Sequence, residues 1–307
     1  MVAADTSSAP DSRGGSTITA ASHAAFRRGG ASFRHIAVRT LGYVVLTVVA
    51  VACIFPLAWM VLTSLRTPDS AFGKSFIPTA AEWTVKAYAS AFTSAGMGRG
   101  LVNSLIVTAA TIAGVLIVAT FGGYGFARFN FRGRRAIYIA ILSTLMVPGA
   151  VLIIPLFLEF KVFHLLDSLQ GLTLVYIATS VPFAVVLMRG FFERVPENLA
   201  DAARIDGASE LAVFFRVMLP LVRPAVLTLA VFQFLSSWNE FLLAETFLRS
   251  PNLLTVQPRV YAIVGQYSTN WSLLCAAVVI SVIPVVILYV ILQRRFVTGL
   301  TVGALRG

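Results

Sequence analysis

The side chains best able to do chemistry sit in one charged stretch of an otherwise apolar chain. Residues 189–223 read RGFFERVPENLADAARIDGASELAVFFRVMLPLVR and hold five of the 13 carboxylates: Glu193, Glu197, Asp201, Asp206 and Glu210. Elsewhere no catalytic constellation is legible. His23, His35 and His164 are isolated, and none has a metal-ligand partner at a useful spacing. There is no G-x-x-x-x-G-K-S/T phosphate loop. Gly122-Gly123-x-Gly125 lies within an apolar run, where close helix packing explains it. The sequence therefore predicts no catalytic residue, no cofactor and no metal site.

The charged stretch parses as two short helices. Pro196 suits a first helical turn, where no backbone donor is needed, and acidic Glu197 follows near the positive end of the helix dipole. Good helix formers continue to Asp206, and Gly207 supplies the left-handed position that ends the helix. Ser209 then suits the N-cap of a second helix. Leu211, Phe214, Phe215 and Met218 fall at i, i+3, i+4 and i+7, which predicts one apolar face, and Pro220 stops this helix. A surface hairpin joining two apolar runs is the plain reading. The Ala202-Ala203 step offers another, because small side chains let a partner's surface approach closely.

The elements that must position this hairpin are membrane spans. Of 307 residues, 58% are hydrophobic and 12% charged, and the mean hydropathy is +0.85. A soluble domain carries about a quarter charged residues, so soluble, disordered and collagen-like classes are excluded. Each span needs about 20 apolar residues, and charge-poor runs at 40–65, 100–127, 136–158, 168–188, 224–248 and 273–293 give six. The run 40–65 is too long for a signal-peptide core, and no cleavage site follows, so it reads as a retained first span. Residues 1–34 read as a disordered cytoplasmic extension, and 35–307 as one six-helix domain. Cys53 and Cys275 fall inside apolar runs and read as small buried hydrophobes. The fold class is an all-α, multi-pass membrane protein.

The net charge of +11 does not imply nucleic acid, because the 21 Arg and 3 Lys lie scattered at the ends of apolar runs. Such residues orient membrane helices. With a cytoplasmic N-terminus only Arg66, Lys74, Lys86, Arg99, Lys161, Arg249 and Arg259 lie outside, and the other 17 of the 24 lie inside. That asymmetry predicts both termini, and residues 189–223, on the cytoplasmic side.

One spacing is more specific. Asp201-Ala202-Ala203, three residues, Gly207, nine residues, then Val217-Met218-Leu219-Pro220 resembles the E-A-A-x3-G-x9-I-x-L-P motif of binding-protein-dependent ABC importer permeases. Asp201 stands where the motif has Glu, one methylene shorter, so the charge is kept. Phe55-Pro56-Leu57-Ala58-Trp59-Met60, Asn103-Ser104-Leu105, Gly125-Phe126-Ala127-Arg128, Trp238-Asn239-Glu240-Phe241 and the tail from Gln293 resemble the carbohydrate branch of that family. The smaller permease of the maltose system is similar to it in the same places. The resemblance covers roughly residues 36–307.

It implies a type I ABC importer permease with six spans in the cytoplasmic (inner) membrane. The implied partners are a second homologous permease, two cytoplasmic ATPase subunits, an extracytoplasmic solute-binding protein and the lipid bilayer, with a sugar-like or polyol substrate. Glu197, Asp201, Ala202, Ala203, Asp206, Gly207, Leu219 and Pro220 are then the residues that couple to the ATPase. The tail is implied to insert toward the ATPase dimer. A glycerol-phosphate ester importer is an alternative within the family. An ion-driven carrier is a second class, though such carriers usually show repeats and midplane charge pairs, which are not evident.

Pro148, Asn239 and Glu240 are the candidate translocation-pathway residues. Prolines within spans bend helices, and their bends either shape a central cavity or are ordinary membrane-helix geometry. Glu240 either lines a polar cavity or sits at the external interface, with Trp238 in the aromatic belt. Glu245 is assigned to that interface.

Overall fold

The computed structural model describes residues 17–73, 76–265 and 269–304, with side chains described only between residues 38 and 293. Among the described residues the chain is helical and holds no strand, with an isolated bridge between Arg66 and Trp83. It divides into two units, Met1–Met60 and Val61–Gly307.

The first unit is the body of α1, Thr17–Ser64, whose stretch Val38–Ser64 is long and apolar enough to cross a membrane. This helix reaches back into the segment expected to be disordered. Residues 17–34 are rich in Ala, the best helix former, and residues 1–16 lie outside the described residues. Cys53 is exposed, not buried, as are its apolar neighbours on this helix, among them Val48, Val51 and Phe55. Cys275 is half-buried, and both thiols are free.

The second unit holds α2 (Lys86–Thr93), α3 (Met97–Arg128), α4 (Arg134–Thr144), α5 (Ile153–Val162), α6 (Leu169–Glu193) and α7 (Glu197–Ile205). It continues through α8 (Glu210–Val213), a π-helical turn (Phe214–Met218), α9 (Leu219–Leu221) and α10 (Arg223–Trp238). α11 (Leu242–Phe247), α12 (Val256–Ala262) and α13 (Trp271–Ala304) complete it. The tail beyond Gln293 is helical as far as Ala304; residues 305–307 lie outside the described residues.

Among the described residues four helices are long enough to span on their own: α1, α3, α6 and α13. Two bent pairs raise the count to six if each is one span. The third apolar run is not straight: α4 and the stretch 149–162 meet at 95°. Pro148 (φ −59°, ψ 127°) causes the break, since its ring blocks a helical bond and its predecessor avoids helical geometry. The fifth run is not one helix either. α10 ends at Trp238, and a second bend of 74° separates it from the segment Glu210–Leu221. Pro220 lies inside α9 and does not stop the chain; the turn comes at Val222.

The principal packing in this unit is α3 along α6. A Cβ on Gly123 would lie 2.7 Å from the Cβ of Met188 and 2.8 Å from the backbone nitrogen of Arg189. The close-packing explanation therefore holds for Gly123. It fails for Gly125, where a Cβ meets nothing within 4 Å.

At one end of this pair Tyr124, Phe192 and Phe214 form an aromatic core, with Tyr124 centroids 5.4 and 5.0 Å from the other two. At the other end, α3 is laced to the segment before α12. The Asn103 amide donates to the carbonyls of Asn252 (2.9 Å) and Leu254 (3.1 Å), and the Val256 N–H donates to Ser104 Oγ (2.9 Å). Buried Arg259 donates to the carbonyls of Leu254, Ala95 and Pro251. Its guanidinium occupies the space a Cβ on Gly96 would need, 2.5 Å away.

Replacing Gly123 by Val should wedge α3 from α6. Overpacking of this kind costs about 1–3 kcal/mol, so the thermal midpoint of the purified protein should fall clearly. Gly125→Ala should leave it unchanged. Equal midpoints for Gly123→Val and the parent would show that this approach is not close.

Candidate functional site

The hairpin 197–221 begins where α3 and α6 end together. Arg128, the last residue of α3, donates to the carbonyl of Phe192 at 2.7 Å and also to that of Val195. The Phe192 carbonyl also accepts the Val195 N–H at 3.2 Å in the turn that closes α6, so Arg128 adds a second donor to a helix end whose last carbonyls lack i+4 partners. Arg128 thus fixes the direction in which the chain leaves the span.

α7 starts at Glu197 after the N-cap Pro196. It closes on a complete Schellman turn: the Gly207 N–H donates to Arg204 O (3.0 Å) and the Ala208 N–H to Ala203 O (3.0 Å). Gly207 has φ +83°, the left-handed region a side-chain-bearing residue adopts at a cost. Ser209 then accepts the Ala212 N–H at 3.4 Å and caps α8. Arg204 ties the two helices together through Asp201 and Glu210, both at 2.7 Å. The same contact holds the Glu210 carboxyl below its usual range, the Arg204 hydrogen bond being the largest cause.

The coupling candidates divide by direction. Ala200 is fully buried and Ala203 packs against the aromatic core, whereas Ala202, Asp206 and Gly207 face outward. Asp201 is exposed but engaged by Arg204, and Glu197 is exposed in the first turn. Leu219 packs against the core, with Pro220 beside it in α9. The single apolar face expected for the second helix is split. Phe214 and Met218 are buried, but Leu211 and Phe215 are exposed, because the π-helical turn adds a residue and rotates the face. With Leu199, Leu221 and Ile205, which is 85% exposed, they leave five large apolar side chains substantially exposed on the hairpin.

A second feature lies between α5, α6, α10 and α11. It is a cavity of about 510 Å³ lined by Gly149, Leu156, Thr179, Ser180, Phe183, Phe232, Gln233, Ser236 and Glu240, among others. The two readings of Glu240 resolve into a different arrangement. Its carboxylate accepts the N–H groups of Leu243 (2.8 Å) and Ala244 (3.0 Å) and the Tyr176 hydroxyl (2.7 Å). It therefore starts α11 and ties it to α6 while forming part of the cavity wall.

Asn239 does not line this cavity; its amide returns to Leu235 O at 2.9 Å and closes α10. Pro148 adjoins the cavity through Gly149. Trp238 is not in an aromatic belt. It is 1% exposed and donates to Ser281 O of α13 at 3.0 Å, because the break after it turns the ring inward. Glu245 is exposed. Among the described residues no cluster of His, Cys, Asp and Glu could hold a metal.

Sequence reasoning missed Arg259, Arg204 and Tyr176. Arg204 was findable, since it stands three residues after Asp201 and six before Glu210. Arg259 and Tyr176 act on distant segments and carry no local signal.

Removing the Arg204 clamp with Arg204→Gln should loosen the turn. Exposed pairs are worth about 0.5 kcal/mol each, so amide exchange across 205–212 should quicken by about fivefold. Acid should do the same. Because the folded-state pKa of Glu210 is depressed, its contribution is full above the unfolded value of about 4.3 and is lost as pH falls through the folded value. Exchange unaffected by either change would remove the clamp.

Comparison with known proteins places this geometry in a family. Residues 119–302 match the family described as binding-protein-dependent transport system inner membrane component. The chain is 34% identical over 269 residues to the diacetylchitobiose uptake system permease protein NgcG of Streptomyces coelicolor, covering 87% of this chain and 88% of that one. It is 33% identical to the sulfoquinovosyl glycerol transport system permease protein SmoH of Agrobacterium fabrum, covering 88% and 94%. It is 36% identical to the arabinooligosaccharides transport system permease protein AraQ of Bacillus subtilis, covering 67% and 72%. The fold matches a chain of a bacterial ABC transporter involved in the import of the acidic polysaccharide alginate, with a TM-score of 0.74, 25% identity, and coverage of 83% and 95%. The chain belongs to the binding-protein-dependent transport family: it is a multi-pass inner-membrane permease subunit of an ABC importer, a transport component and not an enzyme.

Proposed function

We propose that this subunit forms half of the translocation pathway for a sugar, oligosaccharide or related polyol. Family membership implies a permease partner, an ATPase and a solute-binding protein; the proposed assembly has one homologous permease, two ATPase copies and one extracytoplasmic binding protein. Six spans, with both termini and the hairpin in the cytoplasm, complete the reading. Membership of an ABC family sets aside the ion-driven carrier. The solutes for which NgcG, SmoH and AraQ are named are saccharides or glycosides, which supports the carbohydrate class. The cavity favours a hydroxylated solute over a phosphate ester, since its wall offers Thr179, Ser180, Ser236, Gln233 and a carboxylate, and no cation.

The hairpin is the proposed ATPase contact, through Glu197, Asp201, Ala202, Ala203, Asp206, Gly207, Leu219 and Pro220. The observation that carries this role is the exposed set Leu199, Ile205, Leu211, Phe215 and Leu221 on a stiff, doubly capped turn. Large apolar side chains at the end of a membrane protein need cover from something other than water.

A Cβ on Gly207 would meet nothing within 4 Å, so a substitution there acts through φ alone. Gly207→Val should lower uptake and ATPase co-purification by about tenfold, the cost of one left-handed β-branched residue. Gly207→Asn should be tolerated, because Asn enters that region readily. Asp201→Lys should break the Arg204 clamp and lose coupling, whereas Asp201→Glu should keep it. Normal uptake and ATPase association in both Gly207→Val and Asp201→Lys would leave the hairpin a connector.

Two further measurements test the pathway and the orientation. Ser180→Leu and Ser236→Leu, on facing walls of the cavity, should lower uptake while leaving abundance and ATPase association intact; unchanged uptake would take the cavity out of the pathway. A single cysteine at Ser209, in a background where Cys53 and Cys275 are replaced, should resist a membrane-impermeant thiol reagent in intact cells. Labelling there would invert the orientation.

A further inference from the structure

We propose that the groove between the α3–α4 turn and α6 binds the headgroup of an anionic phospholipid. The groove has a volume of about 1190 Å³, and its wall carries the guanidiniums of Arg132, Arg134, Arg135 and Arg189 without a carboxylate. Arg189 is balanced by Glu193 at 2.7 Å, and the other three have no acidic partner among the described residues. Arg132 and Arg135 are exposed, and their side chains make no hydrogen bond or ion pair to any described residue. Uncompensated like charges gathered in one groove repel each other unless an anion joins them.

The groove is shaped before anything enters it. Arg134 donates to Asn130 Oδ1 at 2.7 Å, and the Arg189 guanidinium lies 3.8 Å over the Tyr138 ring. Phe126 packs against both Phe131 and Tyr138, with centroids 5.7 Å apart in each case. Two guanidiniums are thus oriented on an aromatic floor, with further N–H donors left for a phosphodiester, which arginine engages in bidentate fashion. α4, 11 residues long, begins here without a side-chain cap; the Arg134 amide is taken by Phe131 O, and those of Arg135 and Ala136 add to the anion field.

Position decides between a lipid and a soluble anion. The groove sits at the ends of two spanning helices, α3 and α6. Its rim is apolar and partly exposed: Phe129, Phe131, Ile137 and Ile139 each leave about half of their surface uncovered by this chain, and α4 buries no residue fully. A free phosphate has no use for such a rim, whereas acyl chains do. Basic pockets between spans recognise phospholipid headgroups in this way. The inference rests on the chain crossing a bilayer and is independent of the solute carried.

The test uses the whole importer purified in a neutral detergent, with dioleoylphosphatidylglycerol, dioleoylphosphatidylcholine or inorganic phosphate as probes. Phosphatidylglycerol should raise the thermal midpoint and co-purify with the complex; the other two should do neither. Arg132→Gln with Arg135→Gln should reduce retained phosphatidylglycerol by about thirtyfold, since each of the two cations near an anionic headgroup contributes about 1 kcal/mol. Arg132→Lys with Arg135→Lys should retain it. Equal retention by the glutamine variant would overturn the site. So would stabilisation by inorganic phosphate matching that by the lipid, which would make the ligand a soluble anion. Loss of the ATPase subunit with full lipid retention would assign the arginines to a protein partner instead. If the glutamine variant does not accumulate, retention by the parent must fall with rising salt, and salt-independent retention overturns the proposal.

Discussion

Gly123 of α3 lies against the backbone of Arg189 in α6, with no room between them for a methyl group. The remaining organisation of the second unit follows from that approach. It brings the end of α3 close enough for Arg128 to reach the last carbonyls of α6. It also gathers Tyr124, Phe192 and Phe214 into one core, on which the hairpin sits. Further along, α6 carries Tyr176 to Glu240 and so reaches the break between α10 and α11. A wedge at Gly123 would be felt at each of these places, because interiors this dense transmit displacement instead of absorbing it.

A chain with few charges must still place polar groups inside an apolar medium, and here it does so mostly without ion pairs. Arg128 and Arg259 spend their donors on backbone carbonyls. Glu240 accepts backbone amides, and Asp167 takes the amides of Arg249 and Ser250 together with the Ser250 hydroxyl. That hydroxyl and those amides hold the Asp167 carboxyl below its usual range. Breaks in spanning helices leave carbonyls and amides that lipid cannot satisfy, and an isolated charge is costly there for the same reason. Each solves the other's problem. The breaks at Asn239–Phe241 and before α12 are therefore places where a buried charge is stable. Among the described residues, ion pairs occur only at Arg189–Glu193 and around Arg204.

The parts of this arrangement that were legible in the sequence are those set by neighbours along the chain. The end of α7 at Gly207 and the cap at Ser209 depend on residues within one turn, and both stand where spacing put them. The apolar runs at α1, α3, α6 and α13 depend only on composition. Hydropathy cannot distinguish a straight span from a bent one, since side chains on both sides of a break are equally apolar. That is why the runs 136–158 and 224–248 looked continuous. The direction of Trp238 was illegible for another reason, as its partner Ser281 is 43 residues away. The π-helical turn at Phe214–Met218 likewise answers to the core it packs on, and no local pattern announces it.

α10 joins the hairpin to the cavity. Its first residue, Arg223, follows the bend at Val222 beneath the hairpin, and its last, Trp238, precedes the break that Glu240 caps beside the cavity. Sixteen residues make a rod about 24 Å long. Leu229, Phe232, Gln233 and Ser236 on that rod line the cavity. Under the proposed coupling role, a partner that displaces the hairpin moves the near end of α10. A helix is stiff along its axis, so the motion is delivered at Trp238 and Glu240. Both are anchored to other spans, Trp238 to α13 and Glu240 to α6. The displacement must then either carry those spans along or open the break at Asn239–Phe241. In each case the wall of the cavity changes shape, and it does so because a bend stands at one end of the rod and a capped break at the other.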